Sequence, residues 1–274
     1  MPKIAIFQSR SGIDPGANAA ALVDAIGRAA DGGAAMLFTP EMSGLLDGNR
    51  ERASGVVQSE DDDAVLAAVR EAARASGIWV HLGSLALREA GGKLANRAFV
   101  IDPAGEIAGR YDKMHLFDVD LPTGESWRES AAYRAGDGPV VVRGTPVGTL
   151  GLTICYDLRF PAIFERLSEA GADVIAVPAA FTVLTGKAHW HVLLRARAIE
   201  AALFVVAAAQ SGQHEDGRST FGHSLVIDPW GEVLIDGGEG EKLLFAEIDL
   251  ERIAEVRARI PVLQHRRKIG PVSD

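Results

Sequence analysis

The chain contains a single cysteine, Cys155, in 274 residues. It therefore has no disulfide partner within the chain, which excludes the disulfide framework typical of small secreted domains. Long apolar runs are also missing: segments such as residues 203–209 are far shorter than the roughly 20 residues that a membrane-spanning helix needs. No basic start followed by an apolar segment opens the sequence, so we expect no secretory signal and a reducing, cytoplasmic location.

Positive charge is scarce as well. Lys and Arg number 28 against 37 Asp and Glu, which gives a net charge of −9. Nucleic acids and anionic membranes bind concentrated positive charge, so we expect neither as a partner. The one basic cluster, residues 265–268, is interpreted as part of a solvated tail or an interface patch. The hydrophobic fraction of 47% suffices for a sizeable core, and the length fits one large α/β domain or two small ones.

Apolar runs with strand character alternate with segments of helical periodicity, which predicts an α/β fold. In the first half the pattern predicts helices at 17–30 and 63–76 and strands at 3–8, 34–39, 78–87, 93–102 and 106–111. Residues 113–138 show no clear period and are predicted to form a loop, which at this length is often functional. In the second half the pattern predicts helices at 162–169, 187–201 and from 250, and strands at 147–154, 173–178, 203–210, 223–227, 233–236 and 243–248.

Two short segments resemble each other closely. Residues 99–106 read FVIDPAGE and residues 225–232 read LVIDPWGE. Each predicts a strand, a turn of the form Pro-x-Gly and a returning strand. Each also follows a run of alternating strands and helices. The echo therefore predicts two similar halves that form a pseudo-twofold sandwich, with two sheets inside and helices outside. A chance recurrence of common turn residues is the alternative.

Residues 149–161, TLGLTICYDLRFP, are predicted to form a buried strand that ends at Cys155, then a turn, then a helix opened by Pro161. A thiol at the carboxyl end of a strand, just before a helix, lies where open α/β sheets bind ligands. The positive end of that helix could lower the pKa of Cys155 and favour a nucleophilic thiolate. The alternative is a buried cysteine that packs as a small hydrophobic residue.

A cysteine nucleophile needs a base and a group that stabilises negative charge. Glu41, in LFTPEMSG, and Lys113, in GRYDKMHLF, each follow a predicted strand, whereas Glu129 lies in the polar loop 125–138. If Glu41 is buried beside Lys113, desolvation and the ammonium group change its pKa in opposite directions, and the pair could exchange protons near neutral pH. The alternatives are a surface glutamate in a turn and a solvated loop lysine.

Histidine is the commonest catalytic base, and His115, His189, His191 and His223 are available. His189 and His191 lie two residues apart on one predicted helix, so their side chains do not share a face. We therefore expect no metal site formed by this pair, and we expect at least one of the two residues to be structural.

These motifs together resemble the nitrilase superfamily of carbon–nitrogen hydrolases, whose catalytic residues are Glu, Lys and Cys. The resemblance covers essentially the whole chain and rests on LFTPEMSG, GRYDKMHLFD, GLTICYDLRFP, TGKAHWHVLLRARAIE, FGHSLVIDPWGE and IPVLQHRR. Within the superfamily the chain is most similar to the Nit branch of deaminated-glutathione amidases, and the omega-amidases are its nearest neighbours. One departure is His191, where relatives commonly carry Glu after His-Trp. We expect this residue to affect packing or specificity.

The resemblance implies a role for each matching residue. Glu41 is the expected general base, Lys113 the electrostatic stabiliser and Cys155 the nucleophile, while Glu129 is a second active-site glutamate that positions the substrate. The backbone N–H of Tyr156 is expected to bind the oxyanion together with Lys113. The residues expected to line the substrate pocket are Tyr156, Arg159, Phe181 and Thr185.

The implied reaction is amide hydrolysis through a cysteine thioester, with release of ammonia and without a metal or organic cofactor. The implied substrate is a small ω-amide that bears a carboxylate, either deaminated glutathione or α-ketoglutaramate, and Arg159 could bind that carboxylate as a bidentate fork. A nitrilase, or another aliphatic or N-carbamoyl amidase with the same three catalytic residues, stays an alternative. An inactive scaffold or partner-binding protein that keeps the fold is the alternative from another class.

The resemblance also implies an αββα fold, in which two mixed β-sheets are covered by helices on their outer faces, in one carbon–nitrogen hydrolase domain over residues 1–274. It further implies a homodimer formed through helices near Cys155 and residues 187–201. The tail from about residue 261 is expected at an oligomer interface.

Overall fold

The computed structural model describes residues 1–120, 122, 124 and 126–272, in which strands and helices alternate. The helices are α1 (Pro15–Asp31), α2 (Arg50–Val56), α3 (Ala64–Ser76), α4 (Pro161–Glu169), α5 (Val183–Ala201), α6 (Glu251–Arg259) and α7 (Val262–His265). The strands are β1 (Lys3–Gln8), β2 (Met36–Phe38), β3 (Trp79–Arg88), β4 (Leu94–Ile101), β5 (Ile107–Asp112), β6 (Asp118–Asp120), β7 (Ser126–Arg128), β8 (Val140–Thr145), β9 (Gly148–Leu152), β10 (Val174–Ala176), β11 (Phe204–Ala207), β12 (Ser211–Gln213), β13 (Ser219–Phe221), β14 (Leu225–Ile227), β15 (Val233–Asp236) and β16 (Lys242–Glu247). Short 3-10 helices cover Glu129–Ala131 and Cys155–Arg159.

Twelve of these strands form two six-stranded sheets with the same pairing pattern. The first sheet has the order β16-β1-β2-β3-β4-β5, and the second has the order β8-β9-β10-β11-β14-β15. In these orders, the neighbouring pairs of both sheets are antiparallel, parallel, parallel, antiparallel and antiparallel. This agreement is what two similar halves predict.

The two echoed segments occupy matching places in the sheets. The first joins β4 to β5 and the second joins β14 to β15, each as an antiparallel hairpin at one edge of its sheet. In the first turn Asp102, and in the second turn Asp228, accepts hydrogen bonds of 2.8–2.9 Å from two backbone N–H groups that follow it. A carboxylate that binds its own following backbone is a common means of closing a turn. The repeated sequence is therefore a repeated structure.

The layers follow from the alternation of side chains along the strands. On β1, Ile4 and Ile6 are buried in the core between the two sheets, whereas Ala5 and Phe7 are buried against α1 and α3. The outer face of the second sheet packs on α4 and α5. The fold is therefore the expected αββα sandwich, and the core that the two sheets share supports the prediction of one domain.

Several elements of the structure, among them β12, β13 and α7, are not predicted by the sequence pattern. Helix α2 buries none of its residues, so it carries no apolar period. Strand β8 pairs with β9 at a sheet edge with a shift in register after Val142, which disturbs its alternation. Within the predicted loop 113–138, β6 and β7 pair as a small hairpin beside the 3-10 turn Glu129–Ala131. Positions 121, 123 and 125 of that loop lie outside the described residues.

The C-terminal segment lies against the helices of the second sheet. Arg266, after α7, donates a hydrogen bond of 2.9 Å to Ser168 Oγ on α4. A role for this segment at an oligomer interface stays a prediction.

Among the residues described, no helix has both the length and the apolar character required to cross a membrane.

Gly83 of β3 lies where the two sheets approach each other closely, beside the turn that follows β2. A Cβ atom at this position would lie 2.1 Å from Thr39 O, 2.4 Å from Pro40 O and 2.6 Å from Pro178 Cβ. Overpacking of this kind costs about 1–3 kcal/mol. Because the obstructing atoms belong to backbone or to proline, we expect Gly83→Ala to lower the free energy of unfolding in urea by an amount near the upper end of that range.

The matched control is Gly27→Ala on α1, where a Cβ atom would meet nothing within 4 Å. Alanine is favoured over glycine by about 1 kcal/mol inside a helix, so this variant should be more stable than the parent. Equal unfolding free energies for the two variants would contradict the close approach at Gly83.

Candidate active site

Glu41 follows β2 in a tight turn that the second half of the chain helps to hold. The next residue, Met42, has a left-handed φ of 56°. Gln210 Nε2 donates a 3.0 Å hydrogen bond to the carbonyl oxygen of Glu41, and the N–H of Ala180 donates a 2.9 Å bond to Glu41 Oε2. The Glu41 side chain is 6% exposed, so this residue is a buried carboxylate and not a surface glutamate.

Cys155 begins the turn between β9 and α4, and the predicted order of strand, turn and Pro161-initiated helix is confirmed. Its φ of 49° is uncommon for a residue other than glycine, and strained positions of this kind cluster at functional sites. Its backbone N–H donates to Pro178 O at 2.8 Å. The carboxylate of Asp157 accepts a 2.8 Å bond from the N–H of Ile154 and a bond of 2.7 Å from the hydroxyl of Tyr111 on β5. Asp157 thus joins the cysteine turn to the strand that leads to the candidate lysine.

Lys113 follows β5 and is almost fully buried, with 3% of its side chain exposed. Its Nζ donates to Glu41 Oε1 at 2.9 Å and to both oxygens of Glu129, at 3.1 and 2.9 Å. Asn96 Nδ2 donates to the same two carboxylates, at 3.0 Å to Glu41 and 3.2 Å to Glu129. The N–H of Phe117 adds a 2.6 Å bond to Glu129. One ammonium group is therefore shared by the buried carboxylate of Glu41 and the partly buried carboxylate of Glu129.

The thiol of Cys155 completes this cluster. It lines the same cavity as these residues and is close enough to the Glu41 carboxylate and to the Lys113 ammonium for their charges to act on it. The structure thus brings together the four residues predicted to be catalytic, which the sequence separates by up to 114 positions, from 41 to 155.

The surroundings of Cys155 favour the neutral thiol. Burial raises the pKa of the thiol, and the adjacent Glu41 carboxylate raises it further, so that it lies well above its ordinary value despite the Lys113 ammonium. The expectation of a thiolate favoured by the following helix is therefore wrong for the resting site. Helix α4 begins only at Pro161, and the field of a helix terminus falls off within about one turn.

The charges of Glu41 and Lys113 stabilise each other. Burial raises the pKa of Glu41, but the Lys113 ammonium and several hydrogen bonds outweigh it and leave this pKa below its ordinary value. Burial lowers the pKa of Lys113, yet the carboxylates of Glu129 and Glu41 hold this pKa well above its ordinary value. The expectation that Glu41 titrates near neutral pH is therefore wrong at rest. At neutral pH the site holds a carboxylate, an ammonium and a thiol.

The cluster opens into a cavity of about 540 Å³. Small-molecule sites commonly measure about 300–1,000 Å³. Three of the predicted pocket residues, Tyr156, Phe181 and Thr185, line this cavity. The ring of Phe117 meets that of Tyr156 edge to face, with centres 5.0 Å apart, and the Thr185 hydroxyl is 2.8 Å from that of Thr182. The wall beside the thiol is thus aromatic and hydroxyl-bearing.

Arg159 does not line the cavity, in contrast to the prediction. Its guanidinium group lies over the rings of Tyr156 and Phe181, 5.8 and 5.4 Å from their centres, and its Nη1 is 3.2 Å from Nδ1 of His189. Both rings offer cation–π contacts, so Arg159 touches two residues of the cavity wall.

The positive charge on the cavity wall comes from residues that the sequence pattern does not single out. Arg218 stacks on Trp127, 4.8 Å from the ring centre, and its Nε binds Asp216 Oδ2 at 2.6 Å. Trp127 Nε1 is buried and has no hydrogen-bond partner among the described residues. The other basic residues on the wall are Arg50, Arg88, Lys93 and Arg128, in addition to the predicted Lys113.

A comparison with protein families decides the affiliation. The family model of carbon–nitrogen hydrolases matches residues 3–258. The chain belongs to the carbon–nitrogen hydrolase family. Its members in the nitrilase superfamily share the αββα fold found here, and the chain is accordingly a hydrolase that acts on carbon–nitrogen bonds.

Three relatives place the chain within this family. A deaminated glutathione amidase of Yersinia enterocolitica is 39% identical over 270 residues, which are 97% of this chain and 93% of that protein. The crystal structure of the Caenorhabditis elegans NitFhit protein matches with a TM-score of 0.89 at 38% identity, over 97% of this chain and 65% of that one. An amidase from Nesterenkonia matches with a TM-score of 0.82 at 28% identity, over 97% and 94% of the chains. That structure is a glutamate-to-glutamine variant with the acetamide moiety of fluoroacetamide on its active-site cysteine.

Sequence reasoning missed the residues that hold the site of this hydrolase in place. Asn96 lies within β4 and Asp157 one turn after the cysteine, and both are almost fully buried. Gln210 follows β11 and binds Ser11 as well as the Glu41 backbone. The signal that could have found them is a polar residue inside an otherwise apolar segment, since such a residue needs a partner when it is buried.

The neutral thiol yields a prediction for Glu41→Gln. The substitution removes the carboxylate that raises the pKa of Cys155 and leaves the positive charge of Lys113, so the pKa of the thiol should fall. We expect more thiolate at neutral pH and faster alkylation by iodoacetamide than in the parent, whose alkylation should accelerate only above about pH 8.5, the ordinary pKa of a thiol. Ultraviolet absorbance of the thiolate against pH measures the shift directly.

The control is Glu241→Gln, an exposed glutamate remote from the cavity, which should leave the titration of Cys155 unchanged. A thiol pKa that rises or stays constant in Glu41→Gln would show that Glu41 and Cys155 do not interact.

Proposed function

We propose that this hydrolase is an amidase that cleaves a carboxylate-bearing linear amide through a thioester on Cys155, with deaminated glutathione as the substrate. The observation that carries the proposal is that Cys155, Glu41, Lys113 and Glu129 line one cavity, where the lysine binds both carboxylates and the thiol is within range of the charges of Glu41 and Lys113. A thiol, a base and a fixed positive charge are the groups that acyl transfer requires.

The first step forms a carbon–sulfur bond. Glu41 accepts the proton of the thiol while sulfur attacks the amide carbon, so the carboxylate becomes a carboxylic acid and the carbonyl oxygen becomes an oxyanion. Because the resting thiol is neutral, proton transfer and attack are coupled. Lys113 stabilises the new negative charge together with the N–H of Tyr156. That N–H lies in the first turn of the 3-10 helix Cys155–Arg159, where N–H groups have no partner within the helix.

The second step breaks the carbon–nitrogen bond. The acid form of Glu41 returns its proton to the leaving nitrogen, the oxyanion collapses, and a thioester stays on Cys155. Glu41, again a carboxylate, then removes a proton from water, and the hydroxyl group attacks the thioester. Collapse of this second intermediate releases the carboxylic acid, and the sulfur regains the proton from Glu41. The proton balance closes with one amide bond and one water consumed.

The leaving group depends on the substrate. A primary amide such as α-ketoglutaramate releases ammonia, which is the leaving group expected from the sequence. In deaminated glutathione the bond cleaved joins the keto acid to a dipeptide, so the leaving group is the amino group of that dipeptide. A cavity of about 540 Å³ that is lined by several basic residues suits the larger, doubly anionic substrate. Relatives at 38–39% identity over most of their length are named deaminated glutathione amidases.

Arg218 is the group that we assign to a substrate carboxylate. Its guanidinium group is 23% exposed on the cavity wall, stacked on Trp127, and Asp216 holds its Nε edge. A planar fork fixed in this way presents its remaining N–H groups to the cavity, and a carboxylate binds such a fork in a bidentate manner. Arg159, which is not among the residues that line the cavity but contacts two of them, stays the alternative for this role.

The homodimer and the cytoplasmic location stay proposals. Helix α5 leaves Leu184, Val192 and Ile199 exposed, with Val192 at 67%, which supports its expected part in pairing two copies. Large apolar side chains on one element are what an interface between subunits buries.

The mechanism predicts the fate of the acyl group. We expect wild type to release cysteinylglycine from deaminated glutathione, and a rapid quench to yield the protein with an α-ketoglutaryl mass on Cys155. In Cys155→Ala we expect turnover to fall by at least about 10⁴-fold, a loss typical of a removed nucleophile. Undiminished turnover in this variant would remove the thiol from the mechanism.

A substrate panel separates this proposal from its rivals. α-Ketoglutaramate tests the omega-amidase alternative, and a simple nitrile and an N-carbamoyl amino acid test the other enzymatic alternatives. A higher kcat/KM for any of these than for deaminated glutathione would reassign the substrate and leave the thioester mechanism intact. A properly folded protein that hydrolyses none of these compounds and forms no acyl adduct would support the alternative of an inactive scaffold.

The role of Arg218 predicts a loss in substrate binding. We expect Arg218→Gln to raise KM for deaminated glutathione by about tenfold, since a charge-assisted hydrogen bond contributes about 1.5–3 kcal/mol and Asp216 already takes part of the charge. Arg74→Gln on the outer face of α3 serves as the control and should leave KM unchanged. For a primary amide without a carboxylate the two variants should behave alike; a similar loss there would show that Arg218 acts on the fold and not on the carboxylate.

A further inference from the structure

A second cluster of ionisable side chains lies outside the catalytic cavity. His191 on α5, His223 between β13 and β14, and Asp236 at the end of β15 bring one nitrogen or oxygen atom each to within 4.8 Å of the others. His191 Nε2 is 3.0 Å from Asp236 Oδ2, and His223 Nδ1 is 2.8 and 3.1 Å from the two oxygens of Asp236. None of the three lines the cavity. The proposed amide hydrolysis leaves this cluster without a role.

Two of the three separations fit the ligands of one metal ion, and the third, between the two imidazole nitrogens, is within 4.8 Å. Zinc binds nitrogen and oxygen at about 2.0–2.2 Å, so two ligands in its shell lie about 3.0–3.4 Å apart at angles between 90° and the tetrahedral angle. The distances from the carboxylate to the two imidazole nitrogens are close to these values. The three side chains are 35%, 24% and 37% exposed, so an ion and its remaining water ligands can reach them from solvent.

The ligand atoms are held before any ion binds. His223 has a left-handed φ of 53°, and its backbone is fixed on both sides: its N–H donates to Gly238 O at 2.7 Å and its carbonyl accepts a 2.8 Å bond from Trp190 Nε1. The N–H of Gly238 in turn donates to Asp236 Oδ1 at 2.8 Å. A site whose ligands are already oriented loses little conformational entropy on binding.

The site contains one carboxylate and is partly shielded. Asp236 lies against both imidazoles and accepts a hydrogen bond of 2.8 Å from the N–H of Gly238. The buried ring of Phe221 stacks on His223, with centres 4.4 Å apart, and meets His191 edge to face. Lys242 is the nearby cation, and its Nζ is bound to the carbonyl of Gly237 at 2.6 Å.

We propose that His191, His223 and Asp236 form a binding site for a divalent transition metal such as zinc. Two imidazoles and one carboxylate suit zinc, nickel and copper, whereas magnesium and calcium prefer shells of oxygen. The three protein ligands leave water to complete the shell. His189 takes no part in this site. His191 lies instead against His223, which precedes β14, and Asp236, at the end of β15.

The ion would join helix α5 to the hairpin β14–β15 behind one wall of the cavity. Trp190, which binds His223, packs on Phe181 with ring centres 4.8 Å apart, and the N–H of Phe221 donates to Phe181 O at 2.9 Å. Phe181 lines the catalytic cavity. The metal therefore has a structural role in this position, as a cross-link between two elements that support the substrate wall.

The test measures metal binding directly, with cobalt and zinc as probes on the unaltered full chain and on Cys155→Ser. The serine variant removes the thiol, which is the other strong ligand for these metals. We expect one equivalent of cobalt to bind both proteins and to give visible absorption bands typical of nitrogen and oxygen ligands at low coordination number. Zinc should displace cobalt and raise the melting temperature with increasing concentration, because an ion that binds the folded state stabilises it.

His191→Gln and Asp236→Asn, each in the Cys155→Ser chain, should weaken cobalt binding by at least about tenfold, since even loss of an outer-shell partner costs about 10–100-fold. His189→Gln, on the same helix and outside the cluster, should leave the affinity unchanged. Circular dichroism confirms the fold of each variant, and the two variants lie on different elements, so one misfolded protein leaves the test intact. Absence of cobalt binding by Cys155→Ser, or equal affinity of the cluster variants and His189→Gln, would overturn the proposal.

Discussion

The ammonium group of Lys113, enclosed with two carboxylates, is the interaction on which the rest of the site depends. A buried charge without a partner is expensive, and removal of one member of a buried pair typically costs about 3–5 kcal/mol. Lys113 lies between the buried Glu41 and the partly buried Glu129, at 2.9 Å from each, and compensates their charges. The thiol stays neutral because it is buried and because it adjoins a carboxylate that this ion pair keeps charged. The charge of Lys113 thus influences both where the two carboxylates lie and how the thiol beside them is protonated.

The αββα sandwich brings these groups together by placing the ends of strands from both sheets at one end of the shared core. Glu41 follows β2 of the first sheet, and Cys155 follows β9 of the second. Two buried polar residues hold the sheets in register at this point. Asp157 accepts hydrogen bonds from Tyr111 and from the cysteine turn, and Gln210 binds the Glu41 backbone. Fully satisfied buried polar groups of this kind specify one arrangement of a core.

The sequence predicts this architecture well where a local pattern carries the information. The paired FVIDPAGE and LVIDPWGE segments predict the two equivalent hairpins, and the strand ends before Glu41, Lys113 and Cys155 predict their convergence. The protonation of Cys155 could not be predicted, because it depends on burial and on a carboxylate that is distant in sequence. The resemblance implies a place for Arg159 in the pocket, whereas the structure stacks it on Tyr156 and Phe181, which line the cavity. Local spacing predicts where a strand ends, but it does not predict how the side chains beyond that end pack on one another.

The presence of a second glutamate follows from the charge balance of the proposed reaction. At rest the site carries two carboxylates and one ammonium, a net charge of −1. When Glu41 takes the thiol proton it becomes neutral, and the negative charge reappears on the oxyanion, so the net charge stays −1. Glu129 is the fixed charge in this exchange, since it receives Lys113, Asn96 and the N–H of Phe117. It keeps the ammonium in place while the other partner of that ammonium changes from Glu41 to the oxyanion. Electrostatic stabilisation is most effective when the stabilising group does not have to move as charge develops. A single glutamate would have to serve as base and as anchor, and on accepting the proton it would release the lysine at the moment when its charge is needed.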